Sequence, residues 1–192
     1  MKELEQRILL DGRVLPGEVV KVDSFLNHQL DVAFLSKMGQ AIYDRFKDQH
    51  VTKILTIEAS GIAIAVLAST YFGNVPVVFA KKGASSNIGT DFYTAPVHSY
   101  TKNKDYNVIV SKRYLSEEDR VLIIDDFLAE GQAMTGMMSL CDQANATIVG
   151  LSVAIEKGFQ SGGKKLREAG YNLDSLAIIE SIEDEVITFR PQ

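Results

Sequence analysis

Four consecutive apolar residues, Val121-Leu122-Ile123-Ile124, stand between Arg120 and the carboxylates Asp125 and Asp126, and they constrain this chain more than any other stretch. An amphipathic helix or a half-exposed strand would interleave polar residues, whereas a short continuous β-branched run reads as a strand buried on both faces. Comparable runs occupy residues 53–57, 75–80, 106–110, 147–155 and 173–179. Helical patterns fall between them over 61–71, 131–143 and 164–169, and Phe34, Met38, Ile42 and Phe46 recur every four residues ahead of the first strand. Strands alternating with helices predict an α/β fold, a mostly parallel sheet flanked by helices. At 192 residues the chain suffices for one such core with a small appendage, not for two.

Two segments stand outside this alternation. Residues 1–28 hold a helix and then Gly12-Arg13-Val14-Leu15-Pro16-Gly17, too little for an independent domain. Residues 81–104 are polar and show no helical period, and a connection of that length is expected to be a functional lid or a disordered segment.

Several function classes are excluded by composition. A net charge of −5 argues against general affinity for nucleic acid. The single cysteine, Cys141, continues the apolar pattern of Met137, Met138 and Leu140, so it is expected in the core, in a reducing compartment. No apolar run approaches the roughly 18 residues of a membrane span. The charged start Met1-Lys2-Glu3-Leu4-Glu5-Gln6-Arg7 lacks a signal-peptide core, so a cytoplasmic protein is expected. His28, His50 and His98 are far apart, and no metal-ligand spacing is present.

The chemistry concentrates in Asp125-Asp126-Phe127-Leu128-Ala129-Glu130-Gly131-Gln132-Ala133. Ligands of open α/β sheets bind beyond the carboxyl ends of strands, where this pair would sit. The backbone amides of Ala129, Glu130, Gly131, Gln132 and Ala133 would meet at a helix start, which suits a phosphate. Adjacent carboxylates can accept hydrogen bonds from two vicinal ribose hydroxyls. An ordinary strand end with a capping aspartate would need only one acid and no small-residue loop.

In these residues the chain resembles the type I phosphoribosyltransferases, whose motif for 5-phosphoribosyl-1-pyrophosphate (PRPP) is a hydrophobic strand, two acids and a phosphate loop. Most of that family carries threonine where Glu130 and Ala133 stand. The form Ala-x-Gly-Gln-Ala is a feature of its xanthine-using branch. The resemblance implies that Asp125 and Asp126 serve catalysis at the ribose and that Ala129 to Ala133 hold the 5-phosphate. Glu58-Ala59-Ser60-Gly61 resembles the pyrophosphate loop, through Ser60 and Gly61, with Lys81 of the Lys81-Lys82 pair neutralising charge. A solvated lysine pair is the plainer alternative. Residues 83–104 correspond to a mobile hood over the reacting carbon. Lys157 matches the donor to O6 of a 6-oxopurine and Phe159 the stacking ring, while Val20 and Asn27 fall in a segment like the branch's base-covering segment. Asn27 is equally readable as the N-cap of a helix over 29–49.

The resemblance thus implies one domain over residues 1–192, with about residues 1–30 forming a base-binding hood on the type I fold. It implies transfer of phosphoribose from PRPP to xanthine, Mg²⁺ carried largely by the pyrophosphate, and a homodimer without nucleic-acid or membrane partners. Other purines, namely guanine, hypoxanthine or adenine, remain the alternative substrates. A PRPP-sensing repressor on the same fold would carry an additional N-terminal winged helix, whereas here the first core strand begins near residue 53. Gly158-Phe159-Gln160-Ser161-Gly162-Gly163-Lys164 imitates a nucleotide-binding P-loop, but Lys165 replaces the hydroxyl residue that would hold Mg²⁺.

Overall fold

In the computed structural model, which describes residues 1–83, 91–99 and 104–191, the apolar runs become strands of one eight-stranded sheet. The chain starts with α1 (Lys2–Asp11), a hairpin of β1 (Arg13–Leu15) and β2 (Val19–Lys21), a π-helical turn (Asp23–Asn27) and α2 (Val32–Phe46). The sheet is built from β3 (Lys53–Ile57), β4 (Val77–Gly83), β5 (Phe92–Ser99), β6 (Lys104–Ser111), β7 (Arg120–Leu128), β8 (Thr147–Lys157), β9 (Leu173–Glu183) and β10 (Val186–Phe189). Between strands run α3 (Gly61–Tyr71), α4 (Gln132–Gln143) and α5 (Ser161–Glu168).

The spatial order is β10-β9-β8-β7-β3-β4-β6-β5. Neighbours from β9 to β4 pair in parallel, and antiparallel β10 and β6-β5 extend the two edges. From β3 the chain winds through α3 to β4 on one side, and from β7 through α4, β8 and α5 to β9 on the other. The windings diverge between β3 and β7, so the turns leaving these two strands border one crevice, the place where such sheets bind ligands.

Strand β7 explains why helices lie on both sides. Leu122 and Ile124 enter a core made with α1, α2 and α3, while Val121 and Ile123 enter a second core with α4 and Leu166 of α5. All four are fully buried. Cys141 lies in the second core, where burial pushes its thiol up to about 12, and an inert thiol results.

Two local expectations change. The segment 81–104 contains β5, which pairs with β6 from Phe92 opposite Ser111 to Ser99 opposite Lys104. Ala95 and Val97 are buried on one face of β5, with Pro96 tolerated because this is the sheet's edge. The remainder of the expected lid, residues 84–90 and 100–103, lies outside the described residues. The helix expected over 29–49 runs over Val32–Phe46 and is capped by Asp31, whose carboxylate accepts from the Phe34 amide at 3.1 Å. Asn27 is therefore not its cap. In the P-loop look-alike, Gly162 lies against the carbonyl of Ala129 and Gly163 against the Glu156 carboxylate, so these glycines serve close packing.

Among the described residues no helix is long and apolar enough to cross a membrane. Helix α2 packs directly against the α3 backbone at Gly39. A methyl added there would fall 2.8 Å from the Ala68 nitrogen and 2.9 Å from the Leu67 carbonyl carbon, both backbone atoms that cannot turn aside. Gly→Ala in an open helix gains about 1 kcal/mol. Here Gly39→Ala is expected to lose about 1–3 kcal/mol through overpacking, measured by urea unfolding.

Candidate active site

Strand β7 runs past the end of its apolar stretch and carries the two acids to the crevice. The Asp125 side chain is almost fully buried, its Oδ1 accepting the Asp126 amide at 2.9 Å. It faces the start of α3, where a Cβ on Gly61 would approach Oδ1 at 3.3 Å and would collide with Thr56 Oγ1. Glycine at 61 is thus what lets the turn after β3 close upon β7. Burial pushes the Asp125 carboxyl well above the ordinary range, the negative charge of Asp126 adds to this, and Lys82 opposes it. Asp126 is half-buried and accepts from Asn27 Nδ2 at 3.1 Å.

The loop beyond β7 reverses at Gly131, whose φ of +86° is the left-handed region where a side chain would be strained. Residues Ala129 to Ala133 line a hollow of about 180 Å³ with Tyr106 and His98 from the β5–β6 hairpin as its far wall. His98 Nδ1 pairs with Asp105 Oδ1 at 2.6 Å. Glu130 has a specific partner, for Ser161 Oγ donates to its Oε2 at 2.5 Å.

At the end of the neighbouring strand β8, Lys157 lies under the β1–β2 hairpin, where Nζ donates to the carbonyl of Glu18 at 2.9 Å. Burial lowers the affinity of this amine for its proton, and the Glu18 carboxylate partly offsets that. Phe159 packs against the first core and Val20 is buried within it. Asn27 and Ser60 line a neighbouring hollow of about 500 Å³ between the π-helical turn and α3. The Glu58–Ala59 peptide is cis, and the Glu58 carboxylate accepts the Lys82 amide at 2.6 Å.

Lys81 is not brought into this group. It lies along Phe79, 5.8 Å from the ring, in a separate hollow of about 630 Å³ on the opposite face of β4 and β6. Its neighbour Lys82 points the other way, 5.3 Å from the ring of Tyr106 and near enough to Asp125 to act on its charge. Strand alternation carries the signal for this, because Ala80 is fully buried and Lys82 shares its face. Tyr106 and His98 carry no motif of their own and enter the site only through the antiparallel hairpin.

The crevice therefore offers an acid pair of unequal burial, backbone amides at a helix start, and a flanking lysine and amide. For Asp125 the linkage has a definite sign. Asp125 binds its proton more tightly folded than unfolded, so stability is full below the ordinary value of 3.8 and falls as pH rises from there through the folded pKa. Asp125→Asn, which cannot ionise, is expected to raise the unfolding midpoint of the ligand-free protein at pH 7. The gain should vanish at pH below about 3.8, as read by urea unfolding at both pH values.

Comparison with known proteins bears on the family and the fold. The family model described as "Phosphoribosyl transferase domain" matches residues 22–185. The xanthine phosphoribosyltransferase of Bifidobacterium adolescentis is 58% identical over 192 residues, covering 99% of this chain and all of that protein. That of Clostridioides difficile is 51% identical over 190 residues, covering 99% of this chain and all of that protein. Among solved structures, adenine phosphoribosyltransferase from Giardia lamblia bound to 9-deazaadenine superposes with a TM-score of 0.75 at 22% identity, over 93% of this chain and 98% of that one. The enzyme from Thermoanaerobacter pseudethanolicus does so with a TM-score of 0.72 at 19% identity, over 91% and 98%. The parallel sheet flanked by helices is thus that of the type I fold, and the chain belongs to the phosphoribosyltransferase family.

Proposed function

We propose that this protein transfers the 5-phosphoribosyl group of PRPP to xanthine, giving xanthosine 5′-monophosphate and pyrophosphate and so recovering a free purine base. The observation that carries the choice of base is Lys157, a half-buried ammonium held at the end of β8, in the chain segment that also carries Phe159. An ammonium only donates, so it suits O6 of an oxopurine and opposes the amino group of adenine. Asn27 keeps a second N–H and its carbonyl oxygen while bound to Asp126, enough to read a base edge. The two curated relatives described above carry the same activity in their names.

In this reading Asp125 and Asp126 engage the ribose hydroxyls and the amides from Ala129 to Ala133 the 5-phosphate. Ser60 and Gly61 let backbone approach the pyrophosphate, and Lys82, not Lys81, is the lysine of the pair near the acids. Val20 forms part of the wall behind the base, and residues 1–30 act as the hood of a single domain spanning 1–192. The reaction needs no side-chain nucleophile. The protein positions the two substrates and stabilises charge as the ribose–pyrophosphate bond breaks. Among the described residues no group of three or more His, Cys, Asp or Glu side chains could hold a metal ion. In this reading Mg²⁺ would be carried largely by the pyrophosphate and would neutralise leaving-group charge. A cytoplasmic homodimer is the assembly we propose, open to test by sedimentation.

Nucleotide formation from PRPP and each of xanthine, guanine, hypoxanthine and adenine tests the assignment, with xanthine expected to give the highest kcat/KM and adenine the lowest. Lys157→Ala should lower kcat/KM for xanthine by at least about tenfold, the loss of one hydrogen bond from a charged donor. Full activity of that variant, or efficient use of adenine, would overturn the base assignment. For the acids, Asp125→Asn and Asp126→Asn should each raise the KM for PRPP by about tenfold or more.

A further inference from the structure

We propose that Glu130 and Ser161 are positioning residues that hold the phosphate loop in shape against α5, in place of hydroxyl groups that would bind the phosphate directly. The proposal rests on the phosphoribosyltransferase reading of the loop. A carboxylate cannot donate a hydrogen bond to phosphate and repels it, and Ala133 has no hydroxyl to offer. With no side-chain donor at 130 or 133, phosphate affinity leans on the backbone amides, whose aim depends on the conformation of residues 129–133.

That conformation is fixed from outside the loop. Ser161 Oγ donates to Glu130 Oε2 at 2.5 Å, and the Gly162 amide donates to the Ala129 carbonyl at 3.1 Å. Gly131 and Gly162 meet so closely that a Cβ on the first would lie 3.4 Å from the Cα of the second. At its other end the loop enters α4, the Thr135 amide donating to the Gly131 carbonyl at 2.9 Å. Three consecutive loop residues are thus pinned by two residues at the start of α5. An acidic side chain at a helix start also suits the aligned peptide dipoles. The serine supplies the matching donor, and a carboxylate reaches it across a gap that threonine's shorter side chain would not bridge.

Direct titration of PRPP, and separately of ribose 5-phosphate, followed by calorimetry without any base, tests the pair. Ser161→Ala is expected to weaken both ligands about tenfold, as a lost hydrogen bond to a charged group does. The KM for xanthine at saturating PRPP should stay within about twofold of wild type, and Ser161→Thr, which keeps the hydroxyl, should restore ribose 5-phosphate binding. Unchanged ribose 5-phosphate affinity in Ser161→Ala would overturn the proposal. So would equal increases in the KM for both substrates, which would mean a general structural loss. Ribose 5-phosphate separates the two readings: a wild-type protein that binds it but makes no nucleotide from xanthine refutes the assigned reaction and leaves the loop clamp standing.

Discussion

Burial of β7 on both faces is the constraint from which the rest of the structure follows. A strand whose four apolar residues have no access to water needs a layer of helices on each side, and the connections that supply those layers must cross over in parallel. With β3 beside it and the windings departing in opposite directions, a crevice at the carboxyl ends is unavoidable. The acids lie at the point where the strand passes from that dry interior to the crevice, which makes Asp125 buried and its neighbour Asp126 half-open. Burial, with the neighbouring Asp126 charge adding to it, is what raises the proton affinity of Asp125.

The fold was legible in the sequence wherever hydrophobicity was continuous. Residues 53–57 form a strand with those same bounds, because a run with no polar interruption has one way to be buried. Strand β5 escaped notice because only every second residue faces the core, and Pro96 argues against a strand unless the edge position is known. That the acid pair and the small-residue loop lie together at the end of β7 was legible too, because they form one contiguous segment.

The remaining site contacts were not legible, for a reason of distance. The bond between Asn27 and Asp126 spans 99 residues and that between Ser161 and Glu130 spans 31, and no local pattern announces either. The lysine pair shows the opposite failure. Its identity was plain, but the choice of member depended on strand parity, which puts Lys82 on the face of buried Ala80 and sends Lys81 toward Phe79. One residue of register moves a charge from one side of a sheet to the other.

The contact between Lys157 and the Glu18 carbonyl also bears on how the proposed base site is held. The hairpin supplies one acceptor to the ammonium, which fixes the direction of the amine and leaves its two other N–H groups for a guest. In that reading an oxopurine meets a donor already aimed, and less side-chain freedom is lost on binding than with a loose lysine. The hairpin thus gives up mobility ahead of binding for a fixed geometry, so that a molecule with its acceptor elsewhere finds no donor that can follow it.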